Sequence, residues 1–217
     1  MDTDHTLREA SLPTDRYMAI EGAGGLVAAI ADAHSLEAAG ARVLAPLGDG
    51  RLASEAAPWD GPVCLDGNLT DALLHGIAVS PLFARARLHV APASPGKAAR
   101  LRALLGHPSA VLHVNREEAG IICDGHFPDA AGAALGLTAR GAARAVVTDG
   151  AGPAADATGD EVVTALPPRV PVVRITGAGD TFMAAHITAT VRGADRKTAL
   201  QAALDAAAAY ISRKSPA

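Results

Sequence analysis

Apolar residues in this chain fall into short runs closed by Asp, Asn or Gly, and longer Ala-rich stretches lie between them. Short apolar runs of this kind suit buried strands, and apolar residues repeating at three- and four-residue intervals suit helices. The pattern predicts strands at Val63–Leu65, Leu88–Ala91, Ala110–Val114 and Ala143–Val147. It predicts helices at Thr70–Ala78, Lys97–Leu105 and Asp129–Ala139, one ending near Val191, and one over Arg196–Arg213 with Asp195 as its cap. Strands alternating with helices describe an α/β fold, a mostly parallel sheet with helices on both sides. No internal repeat or linker divides the chain, so residues 17–217 read as one domain behind a flexible leader, residues 1–16.

Outside that alternation the pattern changes. Tyr17–Ile20 and Leu26–Ile30 flank EGAGG, a hairpin signal, and residues 17–34 read as a small lid. The phrase GAGG lacks the third glycine of a dinucleotide fingerprint. Ser35 to Ala39 suits a short helix stopped by Gly40, and Arg42–Leu47 a strand or extended segment. Residues 151–169 read as a loop around a second hairpin, with Glu161–Leu166 its better strand.

Composition narrows the classes. The chain has 217 residues, 49% of them hydrophobic, and a net charge of -4, which suits a soluble globular domain with one sizeable core. Its acidity and three lysines argue against a nucleic-acid surface, and 3% aromatics leave no stripe for stacking bases. No apolar run reaches membrane-spanning length, and MDTDHTLREASLPTD does not read as a secretory signal, so a cytoplasmic location is expected. Cys64 and Cys123 read as small packing residues rather than a disulfide. Cys123 and His126 form a CxxH without a second pair, and the remaining histidines read as surface or packing residues. There is no GxSxG elbow, and GKAA at Gly96 is not a Walker A loop.

The candidate chemistry centres on Arg174–Met183, RITGAGDTFM, after the apolar run Val170–Val173. A strand-to-helix turn at Gly177, Ala178 and Gly179 aims unpaired N–H groups outward and suits an anion. Asp180 beside it can take a proton from a substrate hydroxyl, although an acidic residue also suits the first turn of any helix. Asn115 and Glu118 can organise a hydrated Mg²⁺, or form a capping box, and the two roles are compatible. Asp66 and Asn68 end a strand, where ligands bind α/β sheets and where turn chemistry is equally at home. Asp32 suits a strand end or a helix cap.

GAGD, VNREEAG and VVTDG together resemble, in order and spacing, the ribokinase-like (PfkB) sugar and nucleoside kinases. DGNL at Asp66–Leu69, PASPGKAARL and NREEA are most similar to the pseudouridine kinase branch. The resemblance implies a three-layer sandwich and ATP-dependent phosphorylation of a hydroxyl on a small sugar or nucleoside, pseudouridine-like. It implies Asp180 as base, Gly177–Gly179 as anion hole, and Asn115 and Glu118 as organisers of Mg²⁺. Thr148, Gly150 and Lys97 would lie with the nucleotide, Asp32, Asp66 and Asn68 with the acceptor, and adenine at the loop between the last two helices.

The departures from the family point elsewhere. Relatives carry a further amino-terminal portion that supplies part of the sugar site, and no counterpart precedes Tyr17. Arg174 stands where the family usually has Asp or Asn near a monovalent cation, and a guanidinium can replace that charge but not ligate the ion. Ala185 replaces a glycine, and Ala91 an acidic residue. A second reading is therefore a shortened homologue that binds nucleotide or a partner chain without turnover. Open sheet edges leave room for a second copy in a homodimer.

Overall fold

The structure is a computed structural model that describes residues 4–22, 25–32 and 34–213. Strands β1 (Arg16–Gly22) and β2 (Gly25–Asp32) pair antiparallel as a two-stranded sheet. The hairpin's turn, residues 23–24, lies outside the described residues. Short helices α1 (His34–Ala39) and α2 (Ala45–Gly48) follow, joined by a 3₁₀ helix at Gly40–Leu44. The expected strand at Arg42–Leu47 is therefore helical. Pro46 stands in the first turn of α2, where its fixed φ fits and its missing N–H costs nothing.

The main sheet has six strands in sequence order: β3 (Pro62–Asp66), β4 (Arg87–Ala91), β5 (Val111–Asn115), β6 (Arg144–Thr148), β7 (Ala154–Thr158) and β8 (Glu161–Ala165). The first four run parallel, and β7 and β8 continue the sheet antiparallel. Helices α3 (Asp71–Val79), α4 (Arg116–Cys123) and α5 (Ala130–Ala139) lie between the strands in sequence, and α6 (Ala178–Val191) and α7 (Arg196–Ile211) end the fold. Thr70, Asp129 and Asp195 cap α3, α5 and α7 by accepting N–H groups of the first turn.

Side chains alternate across each strand and so separate two cores. Leu88, Val90, Leu112, Val114, Ala145 and Val147 join the larger core with Leu74, Leu101 and Leu137. Val111, Val146 and Ala154 face the other way, onto Phe182 of α6 and Leu200, Ala203 and Leu204 of α7. Helices therefore cover both faces.

Three further expectations are corrected. Residues Pro95–Leu104 form a 3₁₀ helix rather than an α-helix. Its buried residues, Ala98, Leu101 and Leu104, repeat every third position, and three residues per turn places all of them on the core. Val170–Val173 is not a strand: Pro171 cannot donate, and the N–H groups of Val173 and Arg174 both reach the Ile211 carbonyl, at 2.8 and 3.3 Å. Cys123 is buried in the core as expected, but Cys64 is exposed. Among the described residues no helix is long and apolar enough to cross a membrane.

Candidate active site

Parallel pairing brings the carboxyl ends of β3, β5 and β6 to one edge of the sheet, carrying Asp66, Asn115 and Thr148. Asn115 pairs directly with Thr148. Two clefts open along this edge, of about 1500 and 690 Å³. Both are lined by Asn115, Thr148, Gly179 and Phe182, so they meet over the amino end of α6. Gly150 and Ala178 line only the larger cleft, and Gly177 and Asp180 only the smaller.

The amino end of α6 is held open by Gly177, whose φ of 88° lies in the left-handed region. Its carbonyl accepts the Thr181 N–H at 3.0 Å and the Thr181 hydroxyl at 2.8 Å, tying the first turn down. The Ala178 N–H donates to the Ile175 carbonyl at 3.0 Å, which removes one amide from the expected anion hole. The N–H groups of Gly177, Gly179 and Asp180 have no backbone acceptor among the described residues. Nothing lies within 4 Å of where a Cβ on Gly179 would stand, so that helix end is open toward both clefts. Asp180 is exposed beside it.

Asn115 and Glu118 form a complete capping box. The Glu118 N–H donates to Asn115 Oδ1 at 2.9 Å, and the Asn115 N–H to Glu118 Oε2 at 2.8 Å. Burial pushes the Glu118 carboxyl up from its ordinary range, with Glu117 adding repulsion, against the hydrogen bond from the Asn115 amide. Among the described residues no group of three or more His, Cys, Asp or Glu side chains is placed to hold a metal. Two oxygen-bearing side chains near an open helix amino end still fit a Mg²⁺ ion that keeps most of its waters.

At the far wall of the smaller cleft, Asp66 Oδ1 and Oδ2 accept from the Asn68 N–H and Nδ2, both at 2.9 Å. Lys97 Nζ donates to Asn68 Oδ1 at 2.5 Å and lines neither cleft, so it stands with Asn68 rather than with Thr148 and Gly150. Asp32 ends β2 and meets His34 at 2.5 Å, a hydrogen bond that lowers its pKa and raises that of His34. Gly150, with φ of 57°, has nothing within 4 Å of its Cβ position and leaves its backbone open to the larger cleft. Arg174 faces neither cleft: its guanidinium lies 3.9 Å over the Tyr210 ring, and Nε donates to the Tyr210 carbonyl at 3.2 Å.

Sequence reasoning missed a buried polar cluster beneath α6. His89 Nδ1 and His113 Nε2 are 3.1 Å apart, and the His113 ring meets His186 of α6 edge-on at 5.3 Å. His186 lies 3.4 Å from Asp156, which Arg144 clamps through two hydrogen bonds of 2.9 and 2.5 Å. Burial drives His89 down to about 4 and His113 well below its ordinary 6.5, and His186 and Arg144 reinforce both shifts. Burial also works to raise Asp156, but hydrogen bonds from His186 and Arg144 outweigh it and hold the carboxyl low. The available signal was the histidine centred in two apolar strands, RLHVA and VLHVN. Alternation turns both to the α6 face, away from the larger core.

A mostly parallel sheet covered on both sides, with a small antiparallel hairpin sheet besides, is the ribokinase-like α/β fold. The chain belongs to the pfkB family of carbohydrate kinases, whose family description matches residues 81–217. A carbohydrate kinase from Agrobacterium tumefaciens is 28% identical, with a TM-score of 0.70 over 92% of this chain and 62% of that one. Ribokinase from Thermotoga maritima superposes with a TM-score of 0.72 at 17% identity, over 93% of this chain and 64% of that one. Adenosine kinase from Sinorhizobium meliloti gives 0.70 at 19%, over 93% and 62%. Comparison with curated proteins gives no match. The chain thus spans 62 to 64% of the length of these three structures.

Proposed function

We propose that this chain is an ATP-dependent kinase that phosphorylates a hydroxyl on a small sugar or nucleoside, pseudouridine-like in character. The observation that carries the reading is Gly179 facing both clefts while Asp180 faces only the smaller. The larger cleft takes the nucleotide, with Thr148 and Gly150 along its phosphates and the γ-phosphoryl group at the Gly179 and Asp180 amides. The acceptor lies in the smaller cleft, between Asp180 and the Asp66–Asn68 wall, under Asp32 of the hairpin. Its hydroxyl oxygen forms the new bond to the γ-phosphorus as the bond to the ADP oxygen breaks, and its proton passes to Asp180. Open amides at a helix amino end stabilise charge growing on the transferred oxygens. Mg²⁺, where bound, would neutralise phosphate charge, with Asn115 and Glu118 positioned to hold its waters.

A nucleoside-like acceptor is supported by DGNL and NREEA in the sequence, and by both tyrosines, Tyr17 and Tyr210, lining the smaller cleft. The test is ADP release with pseudouridine, other nucleosides and ribose, for the wild type and Asp180→Asn. Turnover that Asp180→Asn abolishes supports the kinase. A thermal shift with ATP and Mg²⁺ but no turnover supports the second reading, a homologue that binds nucleotide without catalysis.

A further inference from the structure

The charge around the acceptor cleft is one-sided. Its lining holds five carboxylate side chains, those of Asp15, Asp32, Asp66, Glu118 and Asp180, against one guanidinium, that of Arg16. The nearby ammonium of Lys97 is drawn onto Asn68 Oδ1 at 2.5 Å. Histidine redresses the balance only at Asp32, whose carboxylate meets His34 at 2.5 Å. His113 lines the cleft floor and is 5% exposed, and burial keeps its imidazole neutral at physiological pH. Its Nε2 is taken by His89 at 3.1 Å, and its buried Nδ1 has no partner. The floor histidine therefore adds no positive charge for a phosphate or carboxylate.

We propose that the acceptor cleft selects uncharged polyhydroxy acceptors, and turns away sugars or nucleosides that already carry a phosphate or carboxylate. This rests on the kinase reading above and narrows its substrate class. An anionic acceptor would bring its charge among these carboxylates in a cleft partly shielded from water, where like charges repel more strongly than in bulk. The transferred phosphoryl group escapes this penalty because it meets the α6 amides rather than the acidic wall. In sequence of reactions, this enzyme acts on the free sugar or nucleoside, ahead of any step that adds an acidic group.

The experiment measures kcat/KM in matched pairs that keep a reacting hydroxyl: uridine against orotidine, and fructose against fructose 6-phosphate, with pseudouridine as reference. The uncharged member of a pair is expected to be favoured about tenfold or more, the scale of one unscreened like-charge contact near a surface. The ratio should narrow as salt is raised, because screening weakens repulsion but not shape. It should also narrow in Asp32→Asn, which removes one wall charge. Equal or better use of the charged member, or a preference indifferent to both salt and Asp32→Asn, overturns the charge selection while Asp180-dependent turnover leaves the kinase intact. Absence of ADP release and of binding with every acceptor overturns the kinase reading, and this inference with it.

Discussion

The hydroxyl of Tyr210, near the end of α7, lies 2.5 Å from where a Cβ on Gly177 would stand, and it donates to the Thr176 carbonyl at 3.0 Å. The last helix thereby fixes the loop in front of α6. Gly177 is required twice, by its positive φ and by this contact, whereas Gly179 has open space around it. Gly177→Ala should lower the melting temperature, because a strained φ costs about 1 kcal/mol or more and the clash adds to it. Gly179→Ala should leave the melting temperature within about a degree or two or raise it, since alanine favours a helix by roughly 1 kcal/mol over glycine. Its methyl group enters the proposed phosphoryl site, so turnover should fall while the fold persists. Thermal melts beside ADP-release assays separate the two variants.

Asp180 borders only the smaller cleft. Asp180→Asn keeps its shape and removes the proton acceptor, so kcat should fall about a hundredfold or more, the usual contribution of a positioned base. The ATP-induced thermal shift should be unchanged. A variant that loses ATP binding in equal measure would assign Asp180 to nucleotide binding.

His89 and His113 are held neutral in the fold, His89 with a pKa of about 4 against 6.5 when unfolded. The unfolded chain therefore binds more protons below pH 6.5, so this contribution to stability is complete above that pH and is lost as pH falls toward 4. Asp156, held low, extends the loss to pH below its ordinary 3.8. Urea midpoints should drop steadily from pH 7 to 4. His89→Gln should flatten that slope, whereas a midpoint independent of pH over this range would show the imidazoles titrating normally.

Arg174 rests on the Tyr210 ring, directly behind the Gly177 loop. If its fixed charge replaces a monovalent cation near the anion site, turnover should be insensitive to exchange of potassium for a tetraalkylammonium salt at constant ionic strength. Arg174→Asn should lower activity and make the remainder respond to potassium. Strong potassium activation of the wild type would refute the replacement.

Asn115→Ala removes a cap whose two hydrogen bonds are both present, and it should destabilise by about 1 kcal/mol. It should also raise the Mg²⁺ concentration needed for half-maximal turnover. Stability loss without a change in Mg²⁺ dependence would confine Asn115 to capping.

The strand and helix alternation, the cap at Asp195, and the glycine-fronted helix bearing Asp180 were all legible in the sequence. These features depend on contacts within a few residues, where local pattern governs structure. The 3₁₀ helix at Pro95–Leu104, the loop at Val170–Val173 and the contact of Lys97 with Asn68 were not legible, because each is decided by a distant partner. The partners are the core under Leu101, the end of α7 at Ile211, and Asn68. The same holds for the histidine cluster: sequence places one imidazole in each of two strands, but only sheet pairing and the docking of α6 bring them beside Asp156. Sequence alone thus determined the glycine turn and the acidic residue in the first turn of the helix behind it. The tertiary structure decided which amides stay open and which carboxylates share the smaller cleft, since both depend on packing between elements far apart in the chain.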